Sequence, residues 1–331
     1  MTDNLLEVKK LKMYFPIHGG ILRRRFGWVY AVDGVSLKVR TGETLGLVGE
    51  SGCGKTTVGR TIARLYKPVG GNVIFDGNDL ARLSHRALRE VRRDLQIIFQ
   101  DPFESLNARH TVRDILQEPF QIHNIGIPKN REEEVVQLLS RVGMDDDALI
   151  RFPHEFSGGQ RQRIGIARAI ALKPKMIICD EPVSALDVSI QSQILNLLLE
   201  LQSEMNLTYL FIAHDLAVVK HISDRIAVMY LGKIVEYAQA DSLYDHPAHP
   251  YTHALISAIP VPDPQIKKNR QILVGDVPSP IHPPSGCVFH TRCPYVEDTC
   301  KVKVPELMPV PGTTDSDHLQ ACLRAGDISF D

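Results

Sequence analysis

With 331 residues, the chain is long enough for about two domains of ~150 residues each. Its 44% hydrophobic and 23% charged residues are ordinary for a globular protein, and a net charge of −1 gives no indication of a nucleic acid or an anionic membrane as partner. No apolar run approaches the ~18–20 residues that span a bilayer, and the first residues lack the basic and apolar regions of a secretory signal. We therefore expect a cytosolic protein.

The first predicted elements are strands. Alternating apolar residues predict a strand over 5–15, which we place at the edge of a sheet, and a second strand over 30–39. Between them lies a basic, turn-rich loop over 18–28, which we interpret as a solvated hairpin tip.

The segment 49–56 reads Gly-Glu-Ser-Gly-Cys-Gly-Lys-Thr and matches the phosphate-binding pattern G-x-x-x-x-G-K-[ST]. An apolar strand precedes it at 44–48, and a helical pattern follows at 57–65. This arrangement aims backbone N–H groups at an anion. Lys55 would supply a point charge for the β- and γ-phosphates and Thr56 a hydroxyl for Mg²⁺. The position of Cys53 at a helix N-terminus predicts a lowered thiol pKa.

The next stretch holds a strand within 70–77, a polar helix over 82–93 and an apolar strand over 95–100 that ends at Gln100. Strand signals then vanish from 105 to 156, where two helices are predicted at 112–120 and 131–142. This segment therefore looks like a helical insert within an α/β domain.

Strands and helices alternate again after the insert. A helix follows the Ser-Gly-Gly-Gln segment at 157–160, and a buried strand ends in two carboxylates, Asp180 and Glu181. The remaining predicted elements are a helix over 188–205, a strand over 207–213 that ends at His214, and a hairpin over 225–236. Such alternation predicts a largely parallel, covered sheet.

After about residue 245 the composition shifts to proline and histidine, which indicates a boundary to a small, loop-rich extension. The extension carries four of the six cysteines: Cys287, Cys293, Cys300 and Cys322. In a reducing compartment such a group points to a metal rather than to disulfides.

These motifs, in this order over about residues 5–236, resemble the nucleotide-binding subunits of ATP-binding-cassette (ABC) transporters. The segment 156–160 resembles the family signature, with Phe156 where leucine is usual. The resemblance implies an α/β P-loop NTPase (RecA-like) fold: an ABC nucleotide-binding domain over 1–245, with a helical subdomain inserted at about 103–157. A cysteine-containing C-terminal extension would follow over 246–331.

The resemblance also assigns roles to residues. The implied catalytic residues are Glu181 as general base, Gln100 and the switch histidine His214. Mg²⁺ would be held by Thr56, Gln100 and Asp180. The implied ATP contacts within one subunit are Phe15, Gly49, Ser51, Gly52, Cys53, Gly54, Lys55, Thr56 and Thr57. Phe15 is the preferred residue for stacking on adenine, with Tyr14, Trp28 and Tyr30 as alternatives.

In this family ATP is enclosed between two cassettes. The contacts made in trans, to the nucleotide of the opposing subunit, would be Ser157, Gly158, Gly159, Gln160 and Asp187. Since this chain has one cassette, the resemblance implies a dimer, in which ATP closes the interface and hydrolysis reopens it.

The segments 249–255 and 283–294 resemble the C-terminal extension of oligopeptide and dipeptide importer ATPases, closest to their "F" subunit. The resemblance implies a homologous "D" subunit as partner, two transmembrane permeases, an extracytoplasmic peptide-binding protein, and a peripheral location on the cytoplasmic face of the membrane. The expected function is ATP hydrolysis that powers peptide uptake.

The four extension cysteines have the spacing C-x5-C-x6-C-x21-C. Structural zinc prefers C-x2–4-C pairs, which are absent, so a [4Fe–4S] cluster is favoured over Zn²⁺, and unligated thiols remain the third alternative. Two other functions also remain open. The same machinery could import nickel or another small solute, or the chain could be an ABC-type ATPase that acts on nucleic acid or ribosomes, which its charge disfavours.

Overall fold

The computed structural model describes residues 4–19, 24–260, 271–313, 315, 317–328 and 330. Part of the predicted basic loop, residues 20–23, lies outside the described residues. No helix in the described part of the chain is both long enough and apolar enough to cross a membrane.

The strands are β1 (Asn4–Gly19), β2 (Arg24–Arg40), β3 (Thr44–Val48), β4 (Gly70–Phe75), β5 (Asn78–Asp79), β6 (Leu95–Ile98), β7 (Met176–Asp180), β8 (Thr208–Ile212), β9 (Arg225–Tyr230), β10 (Lys233–Gln239), β11 (Met308–Pro309) and β12 (Leu319–Gln320).

A helix is present at or near each predicted position, and the described residues also contain short helices that were not predicted. They are α1 (Lys55–Ile62), α2 (His85–Asp94), α3 (Pro102–Ser105), α4 (Val112–His123), α5 (Arg131–Arg141), α6 (Gly158–Ile170), α7 (Val188–Met205), α8 (Leu216–Ile222), α9 (Ala240–Asp245), α10 (Pro250–Ser257) and α11 (Asp298–Val302). Short 3₁₀ segments lie at Pro128–Asn130, Asp146–Ile150 and Pro153–Glu155.

The chain divides into two compact units. The first contains Val39–Glu43 and Arg82–Ile212, and its strands β6, β7 and β8 are neighbours in that order and all parallel. Every residue of β7 and β8 is buried, as expected for parallel strands covered on both faces. The expected helical insert lies in this unit, where α5 buries Val135, Leu138 and Leu139 on one face.

The second unit contains Asn4–Lys38, Thr44–Ala81 and Ala213–Asp331, so the phosphate-loop segment and the C-terminal extension share one unit. Here β3 pairs with β9 in parallel, β9 forms the predicted hairpin with β10, and β12 of the extension adds to β10. The extension therefore contributes a strand to the sheet that carries the phosphate loop.

The position of β1 differs from the prediction. In the four-stranded sheet the order is β2-β1-β4-β5, so β1 is an interior strand and not an edge strand. Leu6, Val8 and Leu11 are buried on one face of β1, as the alternation predicts. The alternation shows which face of β1 is buried, but it does not indicate whether strands pair with one edge of β1 or with both.

Candidate functional site

The phosphate loop follows β3 and leads directly into α1, as predicted. Gly54, the N-cap of α1, has φ +107°, and a Cβ there would lie 2.1 Å from the carbonyl oxygen of Ala31. Gly49 is equally confined, because its Cβ would lie 2.1 Å from the carbonyl oxygen of Met229. Glycine at these two positions is thus required by the close approach of β2 and β9 and not only by a ligand.

Lys55 lies inside the phosphate loop. Its side chain is buried, and Nζ donates to the carbonyl oxygens of Gly49 at 2.7 Å and Glu50 at 3.1 Å. The ammonium group is therefore already held at the centre of the loop. Ser51 and Gly52 are exposed at its tip, whereas Thr56 and Thr57 are half-buried in the first turn of α1.

The expected lowered pKa of Cys53 is wrong. The thiol is 3% exposed, and burial raises its pKa, although Lys55 acts in the opposite direction. Loss of solvent around the thiolate outweighs the helix N-terminus and the neighbouring ammonium group. Cys53 is accordingly a packed thiol rather than a reactive one.

The aromatic candidates for adenine stacking make different contacts. The Tyr14 hydroxyl donates to Asp33 at 2.6 Å, and its ring packs edge-on against Tyr30 with centroids 4.8 Å apart. Phe15 packs against Tyr66, at 5.3 Å between centroids, and is half-buried. The Arg25 guanidinium lies 4.7 Å from the ring of Trp28.

In the first unit, three predicted residues cluster at the carboxyl ends of β6 and β7. Asp180 ends β7 and is fully buried, whereas Glu181 follows it and is half-buried. Gln100 donates from Nε2 to Glu181 Oε2 at 3.0 Å. The structure thus brings Gln100 and Glu181 together, as expected for ligands that collect at this edge of an α/β sheet.

Glu181 has an unusual backbone conformation. Its φ of +48° is in the left-handed region, and its N–H donates to the carbonyl oxygen of Ile212 at 3.0 Å. Ser184 donates from both its N–H and its hydroxyl to the Glu181 carbonyl oxygen. Surrounding hydrogen bonds therefore hold a glutamate in a conformation that is unfavourable for a side chain with a Cβ.

The predicted signature segment forms the start of α6. Ser157 is the N-cap: its hydroxyl accepts from Gln160 N–H at 3.3 Å, and Gln160 Oε1 accepts from Ser157 N–H at 3.0 Å. This reciprocal pair is a capping box, which satisfies two backbone N–H groups at the start of α6. A Cβ at Gly159 would lie 2.6 Å from Ile190 Cγ2, so α7 packs closely against this turn.

Three further predicted site residues differ in how far they are exposed to solvent. Phe156 is buried, and the Arg151 guanidinium stands 4.2 Å from its ring, so the aromatic ring is accommodated at this position of the signature. Asp187 is the exposed N-cap residue of α7, where its carbonyl oxygen accepts from Gln191 N–H. His214 is exposed between β8 and α8, in the same compact unit as the phosphate loop.

The four extension cysteines lie in one neighbourhood. Cys287 N–H donates to the Cys300 carbonyl oxygen at 2.8 Å. Burial, and in addition charge on neighbouring cysteines that include Cys322, raises the pKa of Cys287 and Cys293 to about 11. Among the described residues, however, no three His, Cys, Asp or Glu side chains form a group that could hold a metal ion. The arrangement does not by itself support the expected iron–sulfur cluster.

Comparisons with known proteins identify the family of the chain. A family model described as "ABC transporter" matches residues 32–184, and one described as "Oligopeptide/dipeptide transporter, C-terminal region" matches residues 235–300. The oligopeptide transport ATP-binding protein AppF of Bacillus subtilis is 57% identical to the chain over 97% of each protein. The chain belongs to the ATP-binding subunits of the oligopeptide/dipeptide ABC transporter family.

Other members of this ABC transporter family match the chain over nearly its whole length. The putative oligopeptide transport protein YkfD of B. subtilis is 54% identical over 95% of each chain, and a putative peptide import ATP-binding protein of Brucella ovis is 52% identical over 98% of this chain and 99% of its own. The dimeric bacterial cassette MJ0796 matches the fold with a TM-score of 0.63 and 27% identity, over 71% of this chain and 98% of that one. The expected ABC ATPase fold is confirmed.

Sequence reasoning about this ABC subunit missed one group of contacts at the phosphate loop. Glu50, the second residue of the loop, is bound by Tyr251 and Arg292 of the extension. Arg292 lies 242 positions from Glu50, and no local pattern marks it. The one sequence feature that could have drawn attention to Arg292 is its position next to Cys293, in a segment that resembles peptide-importer ATPases.

Proposed function

We propose that the chain is the ATP-hydrolysing subunit that powers uptake of dipeptides or oligopeptides through membrane permeases. The observation that carries this proposal is similarity to oligopeptide transport ATP-binding proteins along the whole chain, including the extension. We propose a peripheral location on the cytoplasmic face of the membrane, with two permeases, a homologous ATPase subunit and a peptide-binding protein as partners.

ATP binding is assigned to the phosphate loop. The backbone N–H groups of 49–56 and the N-terminus of α1 would contact the phosphates, because a helix N-terminus carries a partial positive charge. Lys55 would exchange its two loop carbonyl acceptors for phosphate oxygens. Phe15 is the proposed stacking partner of adenine.

Hydrolysis is assigned to the residues at the end of β7. Glu181 is proposed as the general base that takes the proton of the attacking water, with its carboxylate oriented by Gln100. Thr56, Gln100 and Asp180 offer the oxygen donors that Mg²⁺ prefers, and a bound ion would neutralise charge on the phosphates. His214 is proposed to contact the γ-phosphate.

The signature turn is assigned to the nucleotide of the opposing subunit. Ser157 to Gln160 and Asp187 are exposed or half-buried, so they are accessible to a second cassette. The capping box holds the turn in shape before a partner arrives, which lowers the entropy lost on association. ATP would then stabilise the closed dimer, and its hydrolysis would remove that stabilisation.

We further propose that Cys287, Cys293, Cys300 and Cys322 bind a metal centre, with a [4Fe–4S] cluster ahead of Zn²⁺. The support is the sequence spacing C-x5-C-x6-C-x21-C and the match of the segment that holds the first three thiols to the oligopeptide/dipeptide transporter C-terminal model. No step of ATP hydrolysis depends on this centre. Brown protein after anaerobic purification would indicate iron–sulfur, colourless protein with stoichiometric zinc would indicate Zn²⁺, and metal-free protein would indicate unligated thiols.

A transport assay tests the function. The chain is purified with its permeases and homologous subunit, reconstituted into vesicles with the binding protein, and supplied with ATP. We expect accumulation of labelled dipeptide or oligopeptide that stops when this chain carries Glu181→Gln. Nickel accumulation without peptide accumulation would favour the small-solute alternative and contradict the peptide proposal.

A further inference from the structure

Glu50 in the phosphate loop is held by the C-terminal extension at two points. Its carboxylate accepts two hydrogen bonds from Arg292, from Nη1 to Oε2 at 2.7 Å and from Nη2 to Oε1 at 3.2 Å. Its backbone N–H donates to the Tyr251 hydroxyl at 2.9 Å. A two-pronged arginine–carboxylate pair fixes direction as well as distance.

This contact is largely removed from solvent. The Arg292 side chain is 8% exposed and that of Glu50 29% exposed. The hydrogen bonds to Glu50 raise the pKa of Arg292, so the guanidinium stays charged. Solvent screens such a pair less than it screens an ion pair at the surface.

The residues that carry the contact are anchored in an aromatic cluster. Tyr251 packs against Tyr230 with centroids 4.7 Å apart, and Phe289 packs against both at 5.4 and 5.2 Å. The Arg292 guanidinium also lies 6.0 Å from the ring of Tyr230. Tyr230, Tyr251 and Phe289 are at most 1% exposed, so the extension presents Arg292 and Tyr251 from a packed core.

Glu50 also touches the part of the loop that is expected to meet phosphate. Its carbonyl oxygen accepts from Lys55 Nζ at 3.1 Å and from Cys53 N–H at 3.3 Å. Glu50 thus contacts the extension through its carboxylate and its N–H, and it contacts Lys55 through its carbonyl oxygen. A displaced Glu50 would displace the acceptor of Lys55.

The charge of Glu50 matters as well. An unpaired carboxylate in a loop that binds a polyphosphate would repel the ligand, and the repulsion is strong where solvent is partly excluded. Arg292 cancels that charge through two hydrogen bonds. The pair therefore both orients the loop and removes an unfavourable electrostatic interaction with the nucleotide.

We propose that Arg292 and Tyr251 are positioning residues for ATP, which makes the C-terminal extension part of the nucleotide-binding machinery. The inference rests on the proposed binding of ATP at this loop. Arg292 acts through Glu50 and does not need to touch the nucleotide. Its effect therefore belongs to ATP affinity and KM and not to the chemical step.

The test uses the full chain and MgATP. For Arg292→Gln we expect an ATP Kd and KM raised about tenfold, with kcat nearly unchanged. Tyr251→Phe, which removes only the hydroxyl acceptor, should raise Kd about threefold. The matched control is Arg324→Gln, because Arg324 pairs with Glu297 of the same extension, at 3.0 Å, and not with the loop carboxylate. This control should bind ATP like wild type.

A second variant separates electrostatics from folding. Glu50→Gln combined with Arg292→Gln should bind ATP more tightly than Arg292→Gln alone, because no unpaired carboxylate remains; a purely structural arginine would show no such rescue. Wild-type Kd and KM in both Arg292→Gln and Tyr251→Phe would overturn the proposal. If Arg292→Gln fails to fold, Arg292→Lys replaces it, and wild-type affinity there would have the same consequence. Wild-type protein that binds no ATP would instead contradict the proposed function.

Discussion

The backbone of Glu181 connects its conformation with its proposed role. A left-handed φ at a residue with a Cβ is unfavourable by about 1–2 kcal/mol, and here neighbouring hydrogen bonds compensate for it. In this conformation the carboxylate accepts from Gln100. The hydrogen bonds therefore hold in place the side chain that is proposed to activate water.

Glu181→Gln should lower ATP turnover by about 10²-fold or more, because an amide cannot take a proton from water. ATP should still bind, since the phosphate loop is untouched, and ATP-bound dimers should persist. Phosphate release and gel filtration with ATP measure the two effects. Turnover at the wild-type rate would remove Glu181 from the role of general base.

Two glycines of the phosphate loop provide a matched pair of substitutions. Both Gly52 and Gly54 have positive φ, but a Cβ at Gly52 meets nothing within 4 Å, whereas one at Gly54 would lie 2.1 Å from the Ala31 carbonyl oxygen. Gly52→Ala should thus lower the free energy of unfolding by about 1 kcal/mol, the cost of the left-handed conformation alone.

Gly54→Ala should lower the free energy of unfolding by at least about 2 kcal/mol more than Gly52→Ala does, because the backbone of β2 would have to move. Urea unfolding without nucleotide measures both variants. Equal losses would mean that β2 yields easily, contrary to the close packing at this position.

At the scale of elements, α6 combines a structural and a proposed functional role in its first turn. Ser157→Ala removes the hydroxyl that accepts from Gln160 N–H and should lower the free energy of unfolding by about 1 kcal/mol. Ser157→Asp keeps a capping acceptor and should unfold like wild type, but its charge should repel the γ-phosphate of the opposing subunit.

Urea unfolding and ATP-dependent dimerisation, of the chain with itself or with its homologous subunit, measure these two effects. The aspartate variant should fold normally and fail to dimerise. Normal dimerisation of that variant would mean that Ser157 does not approach the nucleotide.

Elements with local signals could be predicted from the sequence. The pattern at 49–56, the apolar run before Asp180 and the start of a helix after 157–160 each depend on neighbours within a few positions, and the structure has these elements where they were predicted. Properties that depend on distant residues could not be predicted. The strand β1 is interior because β2 and β4 flank it, and burial reverses the expected pKa shift of Cys53.

At the scale of the whole molecule, His249 should make stability sensitive to acid. The ring is buried, its Nδ1 accepts from Tyr251 N–H at 3.1 Å, and burial lowers its pKa from 6.5 to about 3. Between these values the unfolded chain binds a proton that the folded chain does not. The contribution of neutral His249 to stability is therefore complete above pH 6.5 and is lost progressively as the pH falls toward 3.

His249→Asn keeps an acceptor for the start of α10 but cannot titrate. Between pH 7.5 and 5 the wild type should lose up to about 2 kcal/mol more unfolding free energy than this variant. Urea unfolding at the two pH values gives the difference. Parallel losses in both proteins would show that His249 does not set the acid response.

The strand β12 and the contacts of Arg292 have a practical consequence for protein engineering. The change of composition near residue 245 suggests a convenient junction for chimeras between related transporters, but β12 adds to β10 and Arg292 binds Glu50 across that junction. Exchanging tails to redirect subunit pairing would thus also exchange the support of the nucleotide loop. Functional hybrids would have to inherit positions 50, 251 and 292 from the same parent.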